Sequence, residues 1–142
     1  MQDIAEFISN NLLLATGLLA SGLAVIFYEL RLQARNVGGV SIPAAVRMMN
    51  DGSKIIDVRP AELFAAGHIV DARNIGKQEL LDAADKTLAK HKKNVVLVCD
   101  NGAGSAECAT KLRKDGYENV FSLRGGLDEW RKENLPLVGA GK

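Results

Sequence analysis

The sequence predicts an α/β fold, with a mostly parallel central sheet flanked by helices and one N-terminal transmembrane helix ahead of it. Three observations lead there. From residue 40 onward, short β-branched runs alternate with helix-period segments, the pattern of a parallel sheet covered on both faces. The stretch Phe7 to Tyr28 holds 22 residues without a formal charge. The whole length, 142 residues, allows one domain of ordinary size and a short appendage.

The uncharged stretch comes first. As a helix it would be about 33 Å long at ~1.5 Å per residue, enough for a hydrocarbon core of roughly 30 Å. Thr16 and Ser21 can return their hydroxyls to the helix's own carbonyls, and Tyr28 suits an interface. Gly17 and Gly22 are five apart, which is not the four-residue spacing of a GxxxG dimer motif. A cleaved signal peptide would need a basic start, and here the start carries Asp3 and Glu6. A buried core helix would leave more apolar surface than a domain of this size covers. No Lys or Arg precedes Arg31, and Arg31 and Arg35 follow the span. Positive charge stays on the cytoplasmic side, so the expected arrangement is a single-pass protein with the N-terminus outside and the soluble domain cytoplasmic. The expected division is 1–30 for tail and span, 31–39 for a linker with a Gly38-Gly39 hinge, and 40–142 for the α/β domain.

Within that domain Ser41 reads as an N-cap, with Pro43 in the first turn of a helix over Ala44–Met49 that Asn50-Asp51-Gly52 ends. Lys54–Val58 reads as a buried strand. Pro60–Ala66 reads as a turn or two of helix with Leu63 and Phe64 inward, stopped by Gly67. Ala72–Ile75 is a short strand. Glu79–Lys90 places Leu80, Leu81, Ala84 and Leu88 at helical spacing. Asn94–Cys99 is the plainest strand of the chain. A helix over Ser105–Lys114, a strand over Asn119–Leu123, a break at Gly125-Gly126 and a helix over Leu127–Glu133 complete the domain.

Ligands of such sheets bind beyond the carboxyl ends of the strands. The carboxyl end with an obvious nucleophile is Cys99, followed by Asp100, Asn101, Gly102, Ala103, Gly104 and Ser105. A loop wrapped over a helix N-terminus gathers backbone N–H groups and the positive end of the helix dipole. A cysteine beneath it has its nucleophilic thiolate form favoured. On residue types alone, an inert buried cysteine fits Cys99 equally well. Cys108, four residues inside the next helix, reads as a core residue.

Two runs, Ile55–Ile75 and Val95–Pro136, resemble a single-domain rhodanese of the bacterial membrane-anchored type. The resemblance rests on Asp57-Val58-Arg59, Gly67-His68-Ile69, Cys99 with Gly102 and Ser105, Gly125-Gly126, and Trp130, in that order. It implies a sulfurtransferase or persulfide carrier: Cys99 accepts a sulfane sulfur and passes it to a thiophilic acceptor, with residues 100–105 as the cradle. Asp57, Arg59, His68, the double glycine and Trp130 are then structural supports. Arginines are usual in that family where Asp100 and Gly104 stand here, so thiosulfate is an unfavoured donor. The loop is one residue too short, and lacks the arginine, for the related phosphatases.

Eighteen basic and 17 acidic residues nearly balance, with no basic stripe to suit nucleic acid. Two cysteines without a CxxC or Cys/His cluster suggest neither a disulfide framework nor a metal site, and no cofactor is implied. The expected partners are the lipid bilayer, a sulfur donor and acceptor that are proteins or small thiols, and a membrane protein. Two functions remain open at this stage. One is a tethered sulfurtransferase using Cys99. The other is a weakly catalytic or non-catalytic interaction module at the membrane.

Overall fold

The computed structural model describes residues 2–35, 38–89 and 92–139. Part of the expected linker (36 and 37), Lys90 at the expected helix end, and the last three residues lie outside the described ones. The chain divides into two compact units, Met1–Ala34 and Arg35–Lys142.

The first unit is helical: α1 (Gln2–Asn10) and α2 (Leu12–Arg35). Between them the Asn11 N–H donates to the Phe7 carbonyl (3.0 Å) and the Asn11 carbonyl accepts from Ala15 (2.9 Å). The Asn11 side-chain amide donates to the same Phe7 carbonyl, at 3.0 Å. Thr16 and Ser21 donate to carbonyls of the preceding turn at 2.9 Å, so their hydroxyls add no unpaired polar group to an apolar surface. The segment Leu12–Leu32 is long and apolar enough to cross a membrane, and none of it is buried. It starts later than the uncharged stretch and runs past Tyr28. Glu29 and Arg31 end the apolar composition but not the helix, because both are good helix formers. The linker expected from Arg31 is therefore helical to Arg35.

The second unit holds a five-stranded sheet in the order β1 (Gly39–Val40), β5 (Val120–Leu123), β4 (Val95–Val98), β2 (Lys54–Asp57), β3 (Arg73–Asn74). Every pair is parallel. Successive residues of the central strands face opposite sides. Ile56, Val95, Leu97 and Cys99 pack with Cys108, Ala109 and Leu112 of α7 (Ala103–Lys114) and with Leu80 and Leu88. Ile55, Val96 and Val98 pack with Ile42 and Ala45 of α3 (Ile42–Asn50) and with Leu127 and Trp130 of α8 (Gly126–Lys132). Both faces are covered, as a parallel sheet requires.

Several boundaries differ from the sequence reading. Gly38 and Gly39, expected in the linker, belong to the sheet edge: the Gly38 carbonyl accepts from Ser122 at 2.9 Å, and Gly39 pairs with Ser122 as the first residue of β1. Ser41 occupies the N-cap position of α3, but its side chain makes no capping bond; its backbone carbonyl accepts from Ala45 at 2.8 Å. In α4 (Ala61–Ala66) Leu63 is 44 % exposed, and only Phe64 turns toward protein, stacking on His68. The helix expected over 79–90 is two short helices, α5 (Lys77–Asp82) and α6 (Ala84–Leu88), broken at Ala83. Leu80, Ala84 and Leu88 are buried on either side of that break.

Candidate functional site

Three strand ends meet at the site. β4 delivers Cys99 and its loop. β2, hydrogen-bonded to it through Val58 N–H to the Val98 carbonyl (2.9 Å), delivers Asp57 and Arg59. β5 leads into Gly125-Gly126 and α8.

The loop closes on the sulfur. Gly102 N–H donates to Cys99 Sγ at 3.1 Å and Ser105 N–H at 3.3 Å. The Cys99 thiol lies 3.4 Å from Ser105 Oγ, which donates to the Gly102 carbonyl at 3.2 Å. Gly102 is the N-cap of α7 with φ of 86°, a left-handed conformation that favours glycine. α7 therefore starts at Ala103, two residues before the expected Ser105. The Asn101 side chain accepts from the Ala103 N–H at 3.0 Å, so one amide expected in the cradle is already satisfied locally. Gly104 lies over the cysteine: a Cβ there would stand 3.8 Å from Cys99 Sγ.

The far side of the loop is held by α8. Leu127 N–H donates to the Cys99 carbonyl at 2.9 Å, and Asp128 N–H to the Asp100 carbonyl at 2.8 Å. A Cβ on Gly126, where φ is 58°, would meet the Cys99 carbonyl oxygen at 2.4 Å and the Asp100 carbonyl oxygen at 2.6 Å. The double glycine thus lets the start of α8 touch the loop's backbone. The Leu127 and Asp128 amides were not among the sequence-derived candidates. Amides carry no residue signature, and the double glycine was their sole trace.

Arg59 links the other strand end to the loop. It is 4 % exposed. Its Nε donates to both Asp57 oxygens at 3.0 and 3.1 Å, and Nη2 donates to Asp57 Oδ2 and the Gly67 carbonyl, each at 2.7 Å. Its Nη1 reaches Asp100 Oδ1 at 3.3 Å. Burial pulls the Arg59 pKa down, but the hydrogen bonds and charges of Asp57 and Asp100 outweigh it and the net shift is upward. Asp57 is almost fully buried, and the Asp100 side chain is half exposed. His68 does not join this cluster through its ring: Nδ1 donates to the Phe64 carbonyl at 2.8 Å and the ring stacks on Phe64, centroids 3.7 Å apart. A carbonyl only accepts, so Nδ1 carries the proton. Trp130 of α8 is buried, with Nε1 donating to the Pro136 carbonyl at 3.1 Å.

Cys108 is fully buried in the sheet-side face of α7. Burial pushes its thiol up to about 11, with Lys77 and Lys111 pulling back and Glu107 adding to the rise. Among the described residues no group of three or more His, Cys, Asp or Glu is placed to hold a metal ion.

A parallel α/β domain with one cysteine at the end of its central strand, under a loop of amides running into a helix, is a cysteine-loop protein. The Rhodanese-like domain family matches residues 41–133, and the chain belongs to that family. It is 31 % identical over 140 residues to the YibN protein of Escherichia coli K12, covering 97 % of this chain and 98 % of that one. It is 36 % identical over 93 residues to the thiosulfate sulfurtransferase GlpE of Haemophilus influenzae, covering 66 % of this chain and 87 % of that enzyme. Among solved structures, the rhodanese-related protein of Thermoplasma volcanium shares the fold with a TM-score of 0.63 at 23 % identity, over 70 % of this chain and 96 % of that one. Such relatives support a general sulfurtransferase-like role.

Proposed function

We propose that this chain is a membrane-tethered sulfur carrier whose Cys99 takes up a sulfane sulfur as a persulfide and hands it to a thiol acceptor. One observation carries the reading: two backbone amides, Gly102 and Ser105, converge on a single sulfur at 3.1 and 3.3 Å. Hydrogen bonds to a charged sulfur are strong, and these donors are fixed before any substrate arrives. In the forward step the Cys99 thiolate attacks the outer sulfur of a donor persulfide. A Cys99 S–S bond forms, the donor's S–S bond breaks, and the donor leaves as a thiolate with that electron pair. The step is redox-neutral and needs no side-chain base, consistent with His68 being engaged elsewhere. The acceptor thiolate then attacks the outer sulfur of the Cys99 persulfide and releases Cys99.

The tether is the apolar Leu12–Leu32 segment. The E. coli relative is matched over nearly its full length, including this part. Arg31, at the domain-side end of that segment, with no Lys or Arg ahead of it, supports a cytoplasmic domain and an external N-terminus. The experiment is peptide-level mass analysis of the chain purified from cells with free thiols blocked at lysis. The expected result is a fraction of Cys99 peptide heavier by one sulfur, with none on Cys108. A Cys99 peptide found only as unmodified thiol under sulfur-replete growth would sink the reading. It would favour the interaction module, a reading that the tied-up guanidinium of Arg59 also suits.

A further inference from the structure

We infer that Asp100, clamped by Arg59, selects the sulfur donor: it turns away dianions of the thiosulfate kind and admits persulfides whose net charge is near zero. This rests on the sulfur-carrier reading above. The loop from Cys99 to Ser105 contains one ionisable side chain besides the cysteine, and it is a carboxylate. The nearby guanidinium is buried and already engaged. Each of the three Arg59 nitrogens has a partner, with Nε on Asp57, Nη2 on Asp57 and Gly67, and Nη1 on Asp100. Asp57, Arg59 and Asp100 together carry a net charge of −1. Over the sulfur stands Gly104, with no side chain to offer. The Ala103 amide is already bonded to Asn101.

A dianion drawn to Cys99 is therefore repelled by the half-exposed carboxylate of the next residue, Asp100, or must compete with it for Arg59. Both options are unfavourable for a doubly negative donor, and weakly so for one with no net charge. The chemistry at sulfur is otherwise the same. From thiosulfate, Cys99 would take the outer sulfur and sulfite would leave with the electron pair of the broken S–S bond. From cysteamine persulfide, whose ammonium offsets its persulfide anion, cysteamine thiolate would leave.

The test uses the full chain in a neutral detergent. Sulfur loading of Cys99 is followed by intact mass, in separate runs with thiosulfate and with cysteamine persulfide. The readout is the ratio of the two initial rates. Asp100→Asn keeps an amide oxygen facing Arg59 and removes the charge. Its thiosulfate-to-persulfide ratio should exceed the natural chain's by tenfold or more, equivalent to about 1.4 kcal/mol. In the natural chain, raising salt from about 20 mM to about 500 mM should raise the ratio several-fold as repulsion is screened. In Asp100→Asn the rise should be clearly smaller, since only the repulsion between donor and Cys99 thiolate is left to screen. A purely structural Asp100 would give the same salt dependence in both chains. Equal ratios in the two chains, or a natural-chain ratio that stays flat or falls with salt, would overturn the inference while leaving the carrier reading standing. Failure of both donors to load Cys99 in either chain would overturn the carrier reading, and this inference with it.

Discussion

Cys99 and Cys108 share one face of the sheet but differ in what surrounds the sulfur. Cys99 is met by two amides and a hydroxyl and keeps a small exposed area, whereas Cys108 is fully enclosed by apolar groups. Timed alkylation of the full chain at pH 7.5 should therefore modify Cys99 at least about tenfold faster, since a thiol with a pKa near 11 is almost wholly protonated there. Equal rates would remove the case for a built thiolate site. Cys108 also makes a statement about stability. Its folded-state value of about 11 lies above the ordinary thiol value, so the protonated form is the one folding prefers. That contribution is whole below about pH 8.5 and is lost as pH rises through 11. Between pH 8 and pH 10.5 the natural chain should lose about 2 kcal/mol more than Cys108→Ala does. Parallel denaturant titrations at pH 8 and pH 10.5 measure the difference.

The elements around the loop work through backbone contact, which makes two glycines unequal. Gly126 has no room: a methyl group would overlap two carbonyl oxygens of the loop, at a φ that side chains rarely adopt. Gly126→Ala should cost about 2–4 kcal/mol from overpacking and left-handed strain and slow Cys99 alkylation, because the loop must shift. Gly104 sits in the first turn of α7 with only ordinary contacts around a new Cβ. Gly104→Ala should be neutral or stabilising by about 0.5–1 kcal/mol. Thermal melts and alkylation of the two variants check both. The same elements show what a reader of the sequence can and cannot see. The strands around Ile55–Ile56 and Val95–Val98 were legible, because local β-branched runs and a nonpolar pattern suffice to place them. The Gly39 strand was not, since its only reason to be extended is a partner 83 residues away, Ser122. The break at Ala83 was hidden because Leu80, Ala84 and Leu88 keep helical spacing across it. At the site, Cys99, Gly102 and Ser105 were legible from a strand–glycine–helix order. The Arg59–Asp100 bond spans 41 residues and no local pattern encodes it. The orientation of Asp100 toward Arg59 was therefore invisible until the fold brought β2 beside β4.

At the scale of the whole molecule, the chain joins an apolar helix to a sulfurtransferase-like domain, and the proposed orientation has that domain on the cytoplasmic side. With a tag at the C-terminus, spheroplasts treated with external protease should keep the tag until the membrane is permeabilised. Loss of the tag in sealed spheroplasts would reverse the orientation. The central claim is that this anchored chain moves sulfur through Cys99, and a single-turnover transfer tests it most directly. The full chain in detergent is loaded with a persulfide donor, freed of excess donor, and mixed with a thiol acceptor while intact mass is followed. The expected result is a gain of one sulfur on loading and its loss to the acceptor on mixing, retained in Cys108→Ala and abolished in Cys99→Ser. Persistence of the cycle in Cys99→Ser, or a natural chain that never gains the sulfur, would contradict it.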